Sequence, residues 1–426
     1  MIYEFDKLNK VFGELELPGD KSISHRALIF SAMAEEISYI ENLSDGEDVN
    51  STLTCLREIG AEIERVGNSA KVRGVGFKNF RKPNSALNAG NSGTTARLLC
   101  GLLAAQNFDS KIIGDESLSK RPMERVITPL KLMGANIKSA IEDKLPIEIF
   151  PVDKLNSINY RLPLPSAQVK SAVLIAGLHE DGITSIIDSF GTRDHTERML
   201  NLPVIKSNEE KIINVSWMNY PKPQNYFIPS DISTASYFVV LTLLSKNSSL
   251  RLKNISLNPT RTGLIHLLKK MGAKIKVEKE SIFNNEPIGD LLIESSELEE
   301  LEIEEDIIPN IVDEVPILSI ALILSAGRFR ISNAEELRKK ESDRIHSLCY
   351  NFRQLGLKVD EQSDGFEITG KIKNHHVIFE SFGDHRIAMA FSIMSLLLKY
   401  GGKVNNFDCV KISNPNFIFQ LKKIIQ

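Results

Sequence analysis

A repeat constrains this chain more than any other feature. A short polar or charged cluster, followed at once by an apolar Ala/Leu-rich helical segment, starts at Lys21 (KSISHRALIFSAMA), Asn91 (NSGTTARLLCGLLA), Ser166 (SAQVKSAVLIAGL), Ser230 (SDISTASYFVVLTLL), Asp313 (DEVPILSIALIL) and Asp384 (DHRIAMAFSIMSLL). The intervals are 70, 75, 64, 83 and 71 residues, so six units of about 71 account for all 426 residues. Periods of this kind are the mark of repeat architectures. A second signature runs out of phase with the first. CLREIGAEIERV, PLKLMGANIKSA, LLKKMGAKIKVE and FRQLGLKVDEQS each read as a helix end, a glycine and an alternating strand. Gly60, Gly134, Gly272 and Gly356 therefore stand where a helix C-cap needs positive φ. The strands after them alternate in polarity, so one face is wet and the other buried.

Each unit thus reads as strand, buried helix, strand, amphipathic helix, glycine turn, strand. Six buried helices can pack as two bundles of three, each wrapped by sheet. The length also exceeds that of one ordinary core. The expected domains are residues 1–17 plus 229–426, and residues 18–228. The crossings fall just before Lys21 and in the proline-punctuated YPKPQNYFIPSD.

Composition narrows the class. With 42% hydrophobic and 25% charged residues the chain resembles an ordinary globular protein, and a net charge of −3 argues against nucleic acid as the main partner. Cys55, Cys100, Cys349 and Cys409 show no metal-ligand spacing and read as reduced thiols of a cytoplasmic protein. The N-terminus has no apolar run of signal-peptide length, and VPILSIALILSAG is too short to span a bilayer. GDKS is similar to the end of a P-loop, but Asp20 stands where the second glycine must be; no GxGxxG or zinc motif occurs.

What remains is cation density at helix starts. A helix N-terminus carries unpaired N–H groups and a partial positive charge, which already favours anions. Lys21, Arg26, Arg97, Arg121, Arg344 and Arg386 add full charges in or near such places. Cations oppose the macrodipole there by about 0.3–1 kcal/mol each. Their repetition points to multiply charged, phosphate-bearing small molecules. Ser22, Ser166, Ser230, Asp313 and Asp384 are also good capping residues, and capping is the better account of Ser230. In EELRKKESDRIHSL, helical spacing would put Lys340 and Arg344 on one face with Glu341 beside them. That stretch is either a proton relay held among cations or a solvated charged helix. Asp313 opens an almost wholly apolar segment, as a general base or as a cap.

GDKSISHRAL, NAGNSGTTARLL, SLSKRPMERVITPLKLMGA, PLPSAQVKSAVLIAGL, TRDHTERML, IVDEVPILSIA, LRKKESDRI and FGDHRIAMA together resemble the EPSP synthases, the 3-phosphoshikimate 1-carboxyvinyltransferases of the enolpyruvyl transferase family. The motifs follow the family's order over nearly the whole chain. The resemblance implies an α/β fold, a two-domain inside-out α/β barrel. Each domain would hold three βαβαββ repeats around buried parallel helices, with the active site in the interdomain cleft. It implies transfer of the enolpyruvyl group of phosphoenolpyruvate to the 5-hydroxyl of shikimate 3-phosphate with release of phosphate. No cofactor and no metal are implied, and the partners are these two small molecules, with no nucleic acid, no membrane and a monomer as the default. The sister enzyme, UDP-N-acetylglucosamine enolpyruvyl transferase, would show Lys-Asn in place of Lys21-Ser22 and a reactive cysteine where this chain has DESLSKRPM. A non-catalytic anion-binding paralogue is the remaining alternative.

By motif, the resemblance gives Lys21 contacts to both substrates, with Asp313, Glu341 and Lys21 as the catalytic set. Ser22, Arg26, Ser166, Ala167, Gln168, Arg193, Asp313, Glu336 and Lys340 fall on the shikimate 3-phosphate side. Asn91, Gly93, Arg121, Gln168, Arg344, Arg386 and Lys411 fall on the phosphoenolpyruvate side. Three positions depart from the family pattern. Ile412 stands where a lysine is usual, with Lys411 one step earlier; Glu336 replaces an occasional Asn; and Ser230 replaces a common Gly. Gly93 is the small residue of the glyphosate-sensitive type, since a methyl group there would intrude beside phosphoenolpyruvate.

Overall fold

The computed structural model describes residues 1–207 and 210–426. The chain forms two units: Met1–Leu17 with Pro229–Ser281 and Pro287–Gln426, and Pro18–Ile228 with Ile282–Glu286. Each has its own apolar core. The short segment Ile282–Glu286, the turn of the hairpin made by strands Lys274–Phe283 and Glu286–Glu294, groups with the second unit. The sequence reading has no counterpart for that excursion.

The six apolar segments are helices Lys21–Met33, Gly93–Leu103, Ala167–Gly177, Ile232–Leu244, Val315–Ser325 and His385–Leu397. Every residue from Ile23 to Met33 is buried, as is every one from Ile232 to Leu243 and from His385 to Leu396. Helices apolar on all sides must be covered on all sides, and six small sheets do this. Leu87–Asn88, the Gly93–Leu103 helix, Ser110–Ile113, the Glu124–Leu132 helix, Asn136–Ala140 and Lys144–Phe150 make one complete βαβαββ unit. Its first two strands are parallel and the rest antiparallel. Asn159–Val215 repeats the order with its second helix shortened to His195–Met199.

Two units borrow their first strand from a distant part of the chain. Asn225–Phe227 pairs in parallel with Ile37–Glu41, closing the second unit of the structure on itself. Phe12–Glu16 pairs in parallel with Ser249–Ser256, which is why the N-terminal residues belong with the C-terminal half. The fifth sheet has only three strands, and in the sixth Tyr3–Phe5 pairs with Gly402–Asn405. The four turn glycines adopt φ of +113°, +90°, +92° and +78° at Gly60, Gly134, Gly272 and Gly356, a left-handed region that a Cβ disfavours. The strands Glu62–Val66, Asn136–Ala140, Lys274–Phe283 and Lys358–Glu361 follow them.

Capping differs in detail from the sequence reading. Ser166 and Asp384 cap their helices through their side chains, but Asp20, not Ser22, caps Lys21–Met33. Asp231, not Ser230, caps Ile232–Leu244, while the Ser230 hydroxyl donates to the Leu17 carbonyl at 3.0 Å. The backbone of Ser230 bridges to Ile255, so it serves strand rather than helix.

Two close packings can be tested. Gly101 lets the Gly93–Leu103 and Ala167–Gly177 helices touch: a Cβ there would lie 2.2 Å from the Ala172 carbonyl oxygen. Gly101→Ala is expected to lower stability by about 1–3 kcal/mol or more in urea unfolding, because backbone rather than a flexible side chain must yield. His179 stacks on Phe77 at 5.6 Å and meets Tyr220 edge-on at 5.4 Å. Burial pushes its imidazole down to about 4. A depressed folded-state value means stability is lost as pH falls from about 6.5 to about 4, by roughly 3 kcal/mol for this group. Urea titrations across that range should show a smaller loss in His179→Phe.

Candidate functional site

In the Pro18–Ile228 unit the first two turns of three buried helices are tied together by side chains. Arg26, 2% exposed, donates from Nε to Thr196 Oγ1 at 2.8 Å and from Nη2 to Ser171 Oγ at 2.6 Å. Its Nη1 donates to the Ser22 carbonyl at 2.8 Å. Burial holds the guanidinium down to about 10, with the positive charge of Arg193 acting in the same sense. Lys21 Nζ donates to Asp48 Oδ2 at 2.9 Å. Beneath it, His25 Nδ1 lies 2.7 Å from Thr52 Oγ1, which is 2.6 Å from Thr95 Oγ1. Burial, then Lys21 and Arg26, hold His25 well below the ordinary imidazole range, so it is neutral.

The Asn91–Arg121 region forms the next layer. Arg121 Nη2 donates to Asn91 Oδ1 at 2.8 Å, and Asn91 Nδ2 donates to Asp115 Oδ2 at 2.7 Å. Arg97 Nη1 donates to Gln168 Oε1 at 2.6 Å, leaving Gln168 Nε2 to donate to Thr94 Oγ1 at 2.8 Å. Gly93 sits under these guanidiniums. A Cβ there would approach Arg97 Nη1 to 2.8 Å and Arg121 Nη1 to 3.5 Å. The groups a methyl would disturb are therefore two cations. Ser166 is engaged as the cap of Ala167–Gly177, accepting from the Val169 N–H at 3.3 Å.

The other unit gathers its charges around Arg344, which is 1% exposed. Its Nε donates to Asp384 Oδ2 at 2.7 Å, Nη2 to Glu341 Oε2 at 2.5 Å and Nη1 to Asp313 Oδ1 at 3.3 Å. Arg386 Nη1 donates to the Asp313 carbonyl at 3.1 Å, with Nη2 3.5 Å from Asp313 Oδ2. Burial opposes both guanidinium charges, but the carboxylates outweigh it and hold Arg344 and Arg386 above their ordinary values. Lys340 goes the other way: burial lowers it despite Asp313 and Glu336, whose Oε1 is 3.9 Å from Nζ.

The local structure corrects two expectations. Lys340, Glu341 and Arg344 do not share one helix. A 3-10 turn, Glu335–Lys339, ends at Lys340, and a new helix begins at Arg344 with Asp343 as its cap. The irregular turn lets Glu341 fold back onto Arg344. Asp313 does not cap a helix either. Glu314 occupies the cap position of Val315–Ser325 without a side-chain cap bond, and the carboxylate of Asp313 meets the two arginines instead. Lys411, 62% exposed, bonds to Asp408 at 3.3 Å. Thr196, Ser171, Asp48 and Asp384 were not among the expected site residues. Thr196, Ser171 and Asp384 lie inside the quoted motifs TRDHTERML, PLPSAQVKSAVLIAGL and FGDHRIAMA, which were the signal that could have found them; Asp48 lies in none.

One unit thus clusters guanidiniums on short polar groups, and the other gathers three carboxylates around Arg344 and Arg386, with Asp313 shared between the two. The comparisons with known proteins agree. The EPSP synthase (3-phosphoshikimate 1-carboxyvinyltransferase) family profile matches residues 5–421. A 3-phosphoshikimate 1-carboxyvinyltransferase of Petrotoga mobilis is 44% identical over 100% of this chain and 99% of that protein. The solved EPSP synthase of Acinetobacter baumannii is 39% identical, covers 99% of this chain and 97% of its own, and has a TM-score of 0.87. The enolpyruvyl transferase NikO of Streptomyces tendae shares the fold, with a TM-score of 0.76 at 14% identity, covering 100% of this chain and 97% of its own. This chain belongs to the EPSP synthase family.

The stretch DESLSKRPM contains no cysteine. Burial pushes the thiols of Cys55, Cys100, Cys349 and Cys409 up to about 12, out of the range of useful nucleophiles. Behind Arg26, Lys170 is wholly buried between Asp188 Oδ2 at 3.0 Å and Glu197 Oε1 at 2.6 Å. Lys170→Met would leave two buried carboxylates without their cation. A loss of about 3–5 kcal/mol in denaturant unfolding is expected.

Proposed function

We propose that the protein transfers the enolpyruvyl group of phosphoenolpyruvate to the 5-hydroxyl of shikimate 3-phosphate, giving 5-enolpyruvylshikimate 3-phosphate and inorganic phosphate. The observation that carries the reading is the shared salt-bridge cluster of Asp313, Glu341 and Asp384 with Arg344 and Arg386. The reaction needs a base at the 5-hydroxyl, an acid at the methylene carbon and cations for a carboxylate and a phosphate. This cluster offers Asp313 and Glu341 for the two proton-transfer tasks and Arg344 and Arg386 for the two anionic groups.

Asp313 takes the hydroxyl proton as the oxygen attacks C2 of phosphoenolpyruvate, and Glu341 delivers a proton to C3. The tetrahedral intermediate then loses a methyl proton to Glu341 and expels phosphate, which leaves with the proton held by Asp313. Arg344, Arg386, Arg121 and Lys21 stabilise the anionic donor and the departing phosphate, with Asn91 and Gln168 as uncharged donors. Arginine suits planar carboxylate and phosphate oxygens better than lysine. Ser22, Arg26, Ser166, Ala167, Gln168 and Arg193 take the phosphate of the acceptor, whose ring hydroxyls fall to Asp313, Glu336 and Lys340. Lys411 reaches phosphoenolpyruvate only if its loop leaves Asp408. We place the protein in the cytoplasm as a monomer; no described helix is long and apolar enough to cross a membrane.

Phosphate release from purified protein tests this directly. Release is expected only when both substrates are present, and Asp313→Asn should reduce kcat by about 10²–10⁴-fold through loss of the base. Glyphosate should inhibit competitively with phosphoenolpyruvate, as the lack of a side chain at Gly93 suggests. Release from phosphoenolpyruvate alone would defeat the reading.

A further inference from the structure

Arg386 has a second carboxylate neighbour behind Asp313, and a built cluster holds it. Glu314 is 1% exposed, Arg261 2% and Ser233 3%. The Ser233 hydroxyl donates to Glu314 Oε1 and accepts from Arg261 Nη2 at 2.5 Å. Arg261 Nη2 also lies 3.7 Å from Asp231 Oδ1 and 3.9 Å from Glu314 Oε1. Glu314 Oε1 is in turn 3.9 Å from Arg386 Nη1. These residues join the N-terminal ends of Ile232–Leu244, Val315–Ser325 and His385–Leu397.

The charge balance gives the cluster its purpose. The charged and titratable groups whose fields reach Arg386 include Asp313, Tyr237, Glu314, Asp231 and Arg344, and the Asp384 carboxylate accepts from its backbone N–H at 2.8 Å. A base that takes up a proton in each turnover cannot also be the lasting counter-charge of a buried guanidinium, because protonation would strand the cation. Arg344 has Asp384, wholly buried, for that purpose. Arg386 needs an equivalent, and Glu314, 3.9 Å from its Nη1 and fixed by a hydroxyl and a third arginine, offers one.

We propose that Glu314, clamped by Ser233 and Arg261, is a positioning residue that supplies the permanent counter-charge of Arg386 and so frees Asp313 to change protonation during turnover. The inference rests on the roles given above to Asp313 and Arg386. Glu314→Gln keeps an oxygen for the Ser233 hydroxyl and removes only the charge. Measured from pH 5.5 to 9, its kcat should fall about 10-fold or more. The acidic limb of the kcat profile should move to lower pH, because the remaining carboxylates face extra positive charge. KM for phosphoenolpyruvate should fall.

Arg261→Gln removes a cation from the same cluster, so its acidic limb should move to higher pH and its KM should rise. Opposite shifts in the two variants are the signature of charge. Shifts in the same direction, or a loss of unfolding midpoint with both profiles unmoved, would overturn the proposal. Either variant alone decides by the sign of its shift if the other does not fold. Calorimetric titration with phosphoenolpyruvate reads the same charge without turnover: about 3-fold tighter or more in Glu314→Gln supports the assignment, and unchanged or weaker binding refutes it. Absence of phosphate release from the unaltered protein would count against the proposed reaction, while the titration would still judge Glu314.

Discussion

Every feature of the molecule follows from burying six helices on all sides. A helix with no polar face cannot lie on a surface, so each must be enclosed by other helices and by sheet. Side-chain contacts along such a helix are apolar, and its only unsatisfied backbone groups are at its ends. Charged chemistry therefore gathers at the starts of these helices and on the segments that meet them. The first two turns carry Lys21, Arg26, Arg97 and Arg386, and the side chains of neighbouring helix starts bond to each other, as Arg97 does to Gln168.

That arrangement puts cations where the macrodipole is already positive, and the structure shows how this is tolerated. Each buried cation has specific partners. Lys170 has two carboxylates, Arg344 has three, and Arg26 has two hydroxyls and a carbonyl. Burial and charge pairing compete at every one of these groups. Burial wins at Arg26, whose partners are mostly neutral, and pairing wins at Arg344 and Arg386. Arg26 thus carries a charge that burial disfavours, while the charges of Arg344 and Arg386 are held by the carboxylates around them.

Much of this was legible before any coordinates. The six apolar segments became six helices, and the four turn glycines adopt positive φ at Gly60, Gly134, Gly272 and Gly356. Periodicity and backbone chirality are local, and they survive in a single sequence. Several details were not legible. EELRKKESDRIHSL reads as one charged helix, yet it breaks at Lys340, because Asp343 caps a new helix and Glu341 gains more from Arg344 than from continuing the turn. Asp313 reads equally as a cap or a base until two arginines from distant segments meet its carboxylate.

The sequence by itself determined the repeat, the burial of its helices, the turns between elements and the family to which the chain belongs, because each is written in residue types at short spacing. Only the tertiary structure decided which charges share a site. The counter-ions Asp384, Glu314 and Asp188, the clamp at Arg261 and the diversion of Lys411 to Asp408 depend on distances between residues far apart in the chain or on a local turn. Electrostatic pairing acts over a few ångströms of space, and sequence separation carries no record of it.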